Sequence, residues 1–267
     1  MIDPVAAVTA FGAMLLLALA TWIVSVPRKD VSIVDGLWSL MFLAGIVVYL
    51  GFLDTLTPRG IVVTALVAVW AIRLSAYIFW RNHGEPEDRR YRRIRERNSP
   101  GFEIKSIYLV FGLQAALAGF IALPLLAAVT GGAPLGLLDV AGTLLWLIGF
   151  SFEALGDWQL ARFRANPANE GRVLDSGLWR YTRHPNYFGE FCIWWGFYLF
   201  AVAAGGWWTV LSPALMSLLL LKVSGVGLLE QDMHRRRPGY VQYKWETNAF
   251  FPGPKRHPRN RESFDPR

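Results

Sequence analysis

The chain has 267 residues, 54% of them hydrophobic and 14% aromatic against 18% charged, with a mean hydropathy of +0.32 and a net charge of +7. Soluble domains carry about 25% charged residues, so the composition excludes an ordinary soluble fold and points to the bilayer. A lone cysteine, Cys192, excludes a disulfide scaffold, a CxxC redox pair and a cysteine zinc site, and neither GxGxxG nor GxxxxGKS occurs to support a soluble nucleotide fold.

In chain order, seven apolar stretches are long enough to cross a hydrocarbon core, near 5–26, 32–53, 60–80, 106–130, 136–158, 187–205 and 207–229. The first opens Met1-Ile2-Asp3 without a basic leader, which predicts a retained span rather than a cleaved signal. Lys and Arg alternate sharply between the connections. One side collects Arg28 and Lys29, eight residues over 81–105, five over 159–186 and nine beyond 230, 24 in all; the other has only Arg59. The expectation is an all-α integral membrane protein of seven helices, with its N-terminus outside and its C-terminus cytoplasmic. Residues 1–252 form one domain in this reading, and 253–267 a loosely ordered basic tail. The positive charge then faces anionic lipid headgroups rather than nucleic acid. The four histidines (His83, His184, His234, His257) are too scattered for a metal cluster.

Ionisable residues inside spans are costly and usually functional. Asp35, Arg73, Glu153, Asp157, Glu190 and Lys222, with Glu230 at a boundary, all fall in the cytoplasmic halves of their helices. For Arg73 and Lys222 the plain alternative is snorkelling to headgroups. Glu153 and Asp157 share one helical face, so their repulsion calls for a cationic partner such as Arg162 or Arg164, or for a ligand. Transporter sites lie near the midplane on broken helices; these charges crowd one end, as a site fed by a water-soluble cofactor requires.

The connection 157–190 is rich in Arg, Asn, Tyr and Gly. Arginine forks suit phosphate oxygens, and the Asn-Pro and Gly turns let backbone N–H groups approach an anion. His184-Pro185 precedes a helix, with Asn186 as its N-cap and Glu190 one turn inside. A loop that merely rests on headgroups would be simpler and more basic. The pattern points to a phosphate-bearing ligand at a cytoplasmic mouth.

The run Gly177-Leu-Trp-Arg-Tyr-Thr-Arg-His-Pro-Asn-Tyr-Phe-Gly-Glu190 resembles the C-terminal region of the steroid 5-alpha-reductase superfamily. The stretches 31–38, 163–172 and 223–230 extend the likeness to a bacterial branch of it over nearly all of 5–252. The shorter pattern His-Pro-x-Tyr-x-Gly is shared with isoprenylcysteine and phospholipid methyltransferases. The resemblance implies a seven-helix reductase that uses NADPH on a carbon–carbon double bond conjugated to a carbonyl, in a lipophilic substrate entering from the bilayer. It places the cofactor on Asp157, Arg164, Asn166, Arg172, Tyr181, Arg183, His184, Asn186, Tyr187, Glu190 and Lys244. Arg164, Arg172 and Arg183 would pair with phosphates, Asn186 and Glu190 with the nicotinamide amide or ribose, and Asp157 with an arginine or a ribose hydroxyl.

Steroid reductases also supply a glutamate and a tyrosine from earlier helices to hold the substrate carbonyl. Here Trp70 stands where the tyrosine should be, and an indole N–H donates a hydrogen bond but not a proton. Asp35 is the stand-in for the glutamate, and Tyr77, two turns along from Trp70, is the candidate acid or an interfacial aromatic. Two rivals remain open at this point: an S-adenosylmethionine-dependent methyltransferase of the isoprenylcysteine type, and a non-catalytic transporter or lipid-binding membrane protein.

Overall fold

The computed structural model describes residues 2–223, 230, 233 and 237–256. Among them every element is helical, and an isolated bridge between Thr182 and Asn248 takes the place of any strand. Five helical stretches are long and apolar enough to cross a membrane: Pro4–Arg28, Ile33–Leu50, Pro58–Asn82, Phe102–Thr130 and Leu137–Arg164. This is the pattern of a multi-pass integral membrane protein. The sixth expected span falls on the helix Pro185–Ala203, and the seventh on a shorter apolar helix, Trp207–Lys222. Residues 224–229 of that seventh stretch lie outside the described residues.

The chain divides into two compact units where the sequence pattern suggests one domain. The first comprises Met1–Gly142 and Phe197–Ser212. Helix α1 (Pro4–Arg28) starts at Asp3, whose carboxylate accepts the Ala6 N–H at 2.8 Å. Its buried face, Ala6, Ala10, Met14 and Ala18, is regularly spaced and small except at Met14, and α2 (Ile33–Leu50) packs against it. Helix α3 (Pro58–Asn82) lies on α2, where the Ser39 hydroxyl donates to the Ala71 carbonyl at 2.9 Å. A Cβ at Gly36 of α2 would stand 2.8 Å from the tip of the Phe79 ring of α3, so a larger residue there would displace that ring.

At the start of α3, Arg59 is 1% exposed and forks onto Asp139, Nε to Oδ1 at 2.6 Å and Nη2 to Oδ2 at 2.9 Å. Its other donors reach the Ala133 and Pro134 carbonyls, and Asp139 also accepts the Gly136 N–H. A buried arginine demands this saturation.

Helix α4 (Arg89–Arg97) is capped by Asp88, which accepts the Arg90 N–H at 2.8 Å. The apolar stretch Phe102–Thr130 runs through α5 (Phe102–Ser106), a π-helical turn over Ile107–Gly112, α6 (Leu113–Ile121) and α7 (Leu123–Thr130).

The second unit comprises the described residues of Thr143–Gly196 and Pro213–Arg267. It is built on most of α8 (Leu137–Arg164), the first part of α9 (Pro185–Ala203), most of α10 (Leu211–Leu218) and α11 (Tyr240–Glu246). The tail expected to be loose begins with held residues: Gly253 N–H donates to the Tyr181 carbonyl and Arg256 N–H to the Glu246 carbonyl. Residues 257–267 lie outside the described residues.

Candidate functional site

The first unit gathers a polar cluster around Asp35, at the start of α2. Its Oδ1 accepts the Tyr91 hydroxyl at 2.5 Å and its Oδ2 accepts Arg90 Nη2 at 2.7 Å. Asp88 holds the other side of Arg90, with Nε to Oδ1 at 3.0 Å. Gln114, in the first turn of α6, donates from Nε2 to the Tyr91 oxygen at 3.3 Å. Tyr91 is the only buried residue of α4. Burial first, and then the Asp35 charge, push its phenol well above the ordinary tyrosine range, so it stays protonated. The Asp88 carboxyl lies below its ordinary range: burial opposes this, and the Arg90 bonds overcome it.

The sequence pattern did not single out Tyr91 or Gln114. Tyr91 sits in the run Arg89–Arg97, which reads as pure charge, yet it is the one aromatic there and Ile94 follows three residues later on the same face. That was the available signal. Of the expected substrate residues, Asp35 is at the centre of this cluster. Trp70 is fully buried, its ring 5.9 Å from that of Phe42. Tyr77 is half-buried, with the Arg73 and Arg81 guanidinium groups 5.8 and 5.6 Å from its ring centre.

In the second unit, α8 and α9 meet at glycines. A Cβ on Gly149 would lie 2.5 Å from the Gly189 carbonyl oxygen, and one on Gly156 would lie 3.1 Å from Pro185 Cγ. This crossing brings the buried Glu153 and Asp157 of α8 level with the first turns of α9. Asn186 Nδ2 donates to Asp157 Oδ1 at 3.2 Å, so an amide accompanies the carboxylate. Asn186 is not the N-cap: α9 begins at Pro185, and the His184 carbonyl accepts the Phe188 N–H. Helix ends shift by a residue or two in just this way. In the first turn of α9 the Asn186 side chain serves both sides, its Oδ1 accepting the Tyr187 N–H at 3.1 Å while Nδ2 reaches α8. Glu190 is half-buried one turn further along α9.

The connecting loop is fixed to α8. Leu178 N–H donates to Gln159 Oε1, and Trp179 Nε1 to the Gly156 carbonyl. Gly177 has φ +60 and lies against the Gln159 side chain, a conformation and a space that suit glycine alone. Arg164, Arg172 and Tyr181 are exposed. The Asn166 carbonyl oxygen caps a short turn by accepting the Ala168 N–H.

Arg183 is placed otherwise than expected. It is 8% exposed; Nε and Nη2 pair with Glu230 at 2.8 and 3.2 Å, and Nη1 donates to the Lys244 and Thr247 carbonyls. The same carboxylate takes His184 Nε2 at 3.0 Å and has Lys244 Nζ at 3.6 Å, while the Tyr187 ring stacks on His184 at 5.7 Å. Four expected cofactor residues thus gather around Glu230. Burial works to raise the Glu230 carboxyl, but His184 and Arg183 overcome it and hold the pKa at about 2.

The residues fit NADPH in part. A buried carboxylate–amide pair suits a ribose or carboxamide, and the exposed Arg164 and Arg172 suit phosphates. Arg183 is committed to the protein's own groups.

The model of a family described as "Protein of unknown function (DUF1295)" matches residues 21–247. An uncharacterized protein of Schizosaccharomyces pombe is 28% identical to the chain, over 86% of this chain and 75% of its own. No solved structure matches.

Proposed function

The chain belongs to the DUF1295 family of proteins of unknown function, and we propose that it is a membrane-embedded, NADPH-dependent reductase of a conjugated carbon–carbon double bond in a lipophilic substrate. The observation that carries the reading is the Tyr91–Asp35 pair, a neutral buried phenol held against a carboxylate at 2.5 Å. It answers the sequence-level difficulty that Trp70 occupies the expected tyrosine position: another tyrosine supplies the hydroxyl. The likeness to the steroid 5-alpha-reductase superfamily supports the same chemistry, and we place the chain beside that superfamily, with seven spans and a cytoplasmic C-terminus. The substrate class is a sterol-like, isoprenoid or unsaturated fatty-acyl lipid.

When bound, NADPH supplies the hydride that adds to the β carbon. Arg164 and Arg172 hold its phosphates, and Asp157, Asn186 and Glu190 orient its ribose and carboxamide. The negative charge that develops on the substrate's carbonyl oxygen would take a hydrogen bond from the Tyr91 hydroxyl, whose single hydrogen turns to it from Asp35 Oδ1. Asp35 is a positioning residue: it fixes the phenol, while Arg90 and Asp88 fix Asp35. Gln114 donates to the phenolic oxygen, so the phenol's own hydrogen, held on Asp35, is the one it has to give. The α carbon then takes its proton from water.

Calorimetric titration of the purified protein with NADPH, NADH and S-adenosylmethionine tests the reading. NADPH binding that weakens on Arg172→Ala is the expected result. Binding of S-adenosylmethionine alone moves the protein to the methyltransferases, and no binding of any of the three leaves a non-catalytic membrane protein.

A further inference from the structure

At the C-terminal end of α8 a cleft of about 490 Å³ opens on the side away from the Asp157–Asn186 pair, lined by Trp158, Gln159, Arg162, Phe163 and Asn166 among others. With 3.6 residues per turn, Trp158 and Arg162 occupy one face of α8, and Glu153, Asp157 and Arg164 another. Of the residues assigned to NADPH, only Asn166 lines the cleft.

Its chemistry is one-sided. No acidic side chain lines it. Arg162 is exposed and has no carboxylate partner among the described residues; its guanidinium lies 5.5 Å from the centre of the Trp158 ring. Trp158 is 54% exposed, and Leu174 closes the apolar floor. The C-terminal end of a helix repels anions, so an arginine there without a carboxylate is suited to offset that repulsion for an incoming anion. Depth adds a second constraint. Helix α8 has 28 residues, and about 20 cross the hydrocarbon core, so its last two turns reach the headgroup layer. Tryptophan and arginine together are the side chains of that layer.

We propose that this cleft binds the headgroup phosphate of an anionic phospholipid, with Arg162 on the phosphate and Trp158 against the glycerol and upper acyl chain. The site is independent of the reductase reading and holds whether or not NADPH binds.

The test is native mass spectrometry of the full chain released from detergent with phosphatidylglycerol, phosphatidylcholine or inorganic phosphate, for wild type, Arg162→Gln, Arg162→Lys and Trp158→Leu. Both positions are exposed, and a thermal melt of each variant confirms folding. Phosphatidylglycerol should bind in preference to phosphatidylcholine. Arg162→Gln should weaken it about ten-fold, the loss of one charge-assisted contact of about 1.5 kcal/mol, with Arg162→Lys intermediate. Equal retention by wild type and Arg162→Gln overturns the proposal, as does equal binding of the two lipids. Displacement by inorganic phosphate alone makes the cleft a free-anion site, and displacement by NADPH makes it part of the cofactor site; either result also overturns it.

Discussion

Gly189 of α9 lies against Gly149 of α8 so closely that a Cβ on either would stand 2.5 Å from the other's carbonyl oxygen. Neither helix can yield locally, because the obstructing atoms are backbone. The Asp157–Asn186 bond lies two turns from Gly149 on α8 and depends on that spacing. Gly189→Ala should therefore push the helices apart, at an overpacking cost of about 1–3 kcal/mol. The expected outcome is a lower melting temperature together with weaker NADPH binding, both measurable on the purified protein. Unchanged affinity would separate the crossing from the cofactor.

Arg172 and Arg183 look alike in sequence and differ in place. Arg172 is exposed, whereas Arg183 is buried on Glu230 and two carbonyls. Arg172→Ala should lower NADPH affinity with little change in thermal stability. Arg183→Ala leaves a buried carboxylate short of its main partner, a change that costs about 3–5 kcal/mol, and should lower the melting temperature strongly. Melting curves and cofactor titrations of the two variants side by side distinguish the roles.

For the Asp35 cluster the prediction concerns turnover. Tyr91→Phe removes the donor and should reduce the rate roughly a hundred-fold, the loss seen when one oxyanion donor is deleted, with NADPH affinity unchanged. Asp35→Asn should reduce it less. Tyr77→Phe, which keeps the ring between Arg73 and Arg81, should leave turnover near wild type. Because burial and Asp35 hold the Tyr91 proton above the ordinary range, the rate should show no loss from this group as pH approaches 10. An equal loss for Tyr77→Phe would return the donor role to that residue.

The apolar helices were legible because hydropathy integrates over about twenty residues, and an error at any one position is diluted. Thus α1, α2 and α3 fall within a few residues of their expected spans. The polar partners were not legible in the same way. Asp35 was visible as a charge in a span, but its partners Arg90 and Tyr91 lie 55 and 56 residues away, in a helix whose arginines mask the tyrosine among them. Arg183 and Arg172 have the same side chain, and only burial separates them. Asn186 reads as a cap from its place after His-Pro; the helix starts two residues earlier, so Asn186 sits in its first turn, where Oδ1 accepts the Tyr187 N–H and Nδ2 reaches Asp157.

Glu230 gives a pH prediction of definite sign. Its carboxyl is held at about 2 against an ordinary 4.5, with burial opposing and His184 and Arg183 prevailing. A depressed carboxyl contributes stability that is full above the unfolded value and is lost as pH falls through the folded one. Wild type should lose this contribution between about pH 4.5 and 2. Glu230→Gln should be less stable than wild type at neutral pH, and the gap between their melting temperatures should close over that acid window. A gap that stays constant from neutral pH to pH 2 would show that the ion cluster is not what stabilises this region.

The Arg59–Asp139 fork joins the first turn of α3 to the start of α8 inside the first unit, and both side chains are almost wholly buried. Its energetics resemble those of a buried pair anywhere: the intact pair is nearly neutral against an apolar replacement, while either half alone is a buried charge without its counterion. Asp139→Asn should cost about 3–5 kcal/mol, because Arg59 keeps its carbonyl contacts and one amide oxygen but loses its counterion. The double change Arg59→Leu with Asp139→Leu should recover part of that loss, although the Gly136 N–H then lacks its acceptor. Neither change touches the Asp35 cluster, so NADPH-dependent turnover per folded molecule should be retained. Melting temperatures of the two variants and their specific activities after removal of unfolded protein measure this directly; a double variant no more stable than Asp139→Asn would mean that the connection 131–139 is held by the fork's hydrogen bonds rather than by the pairing of its charges.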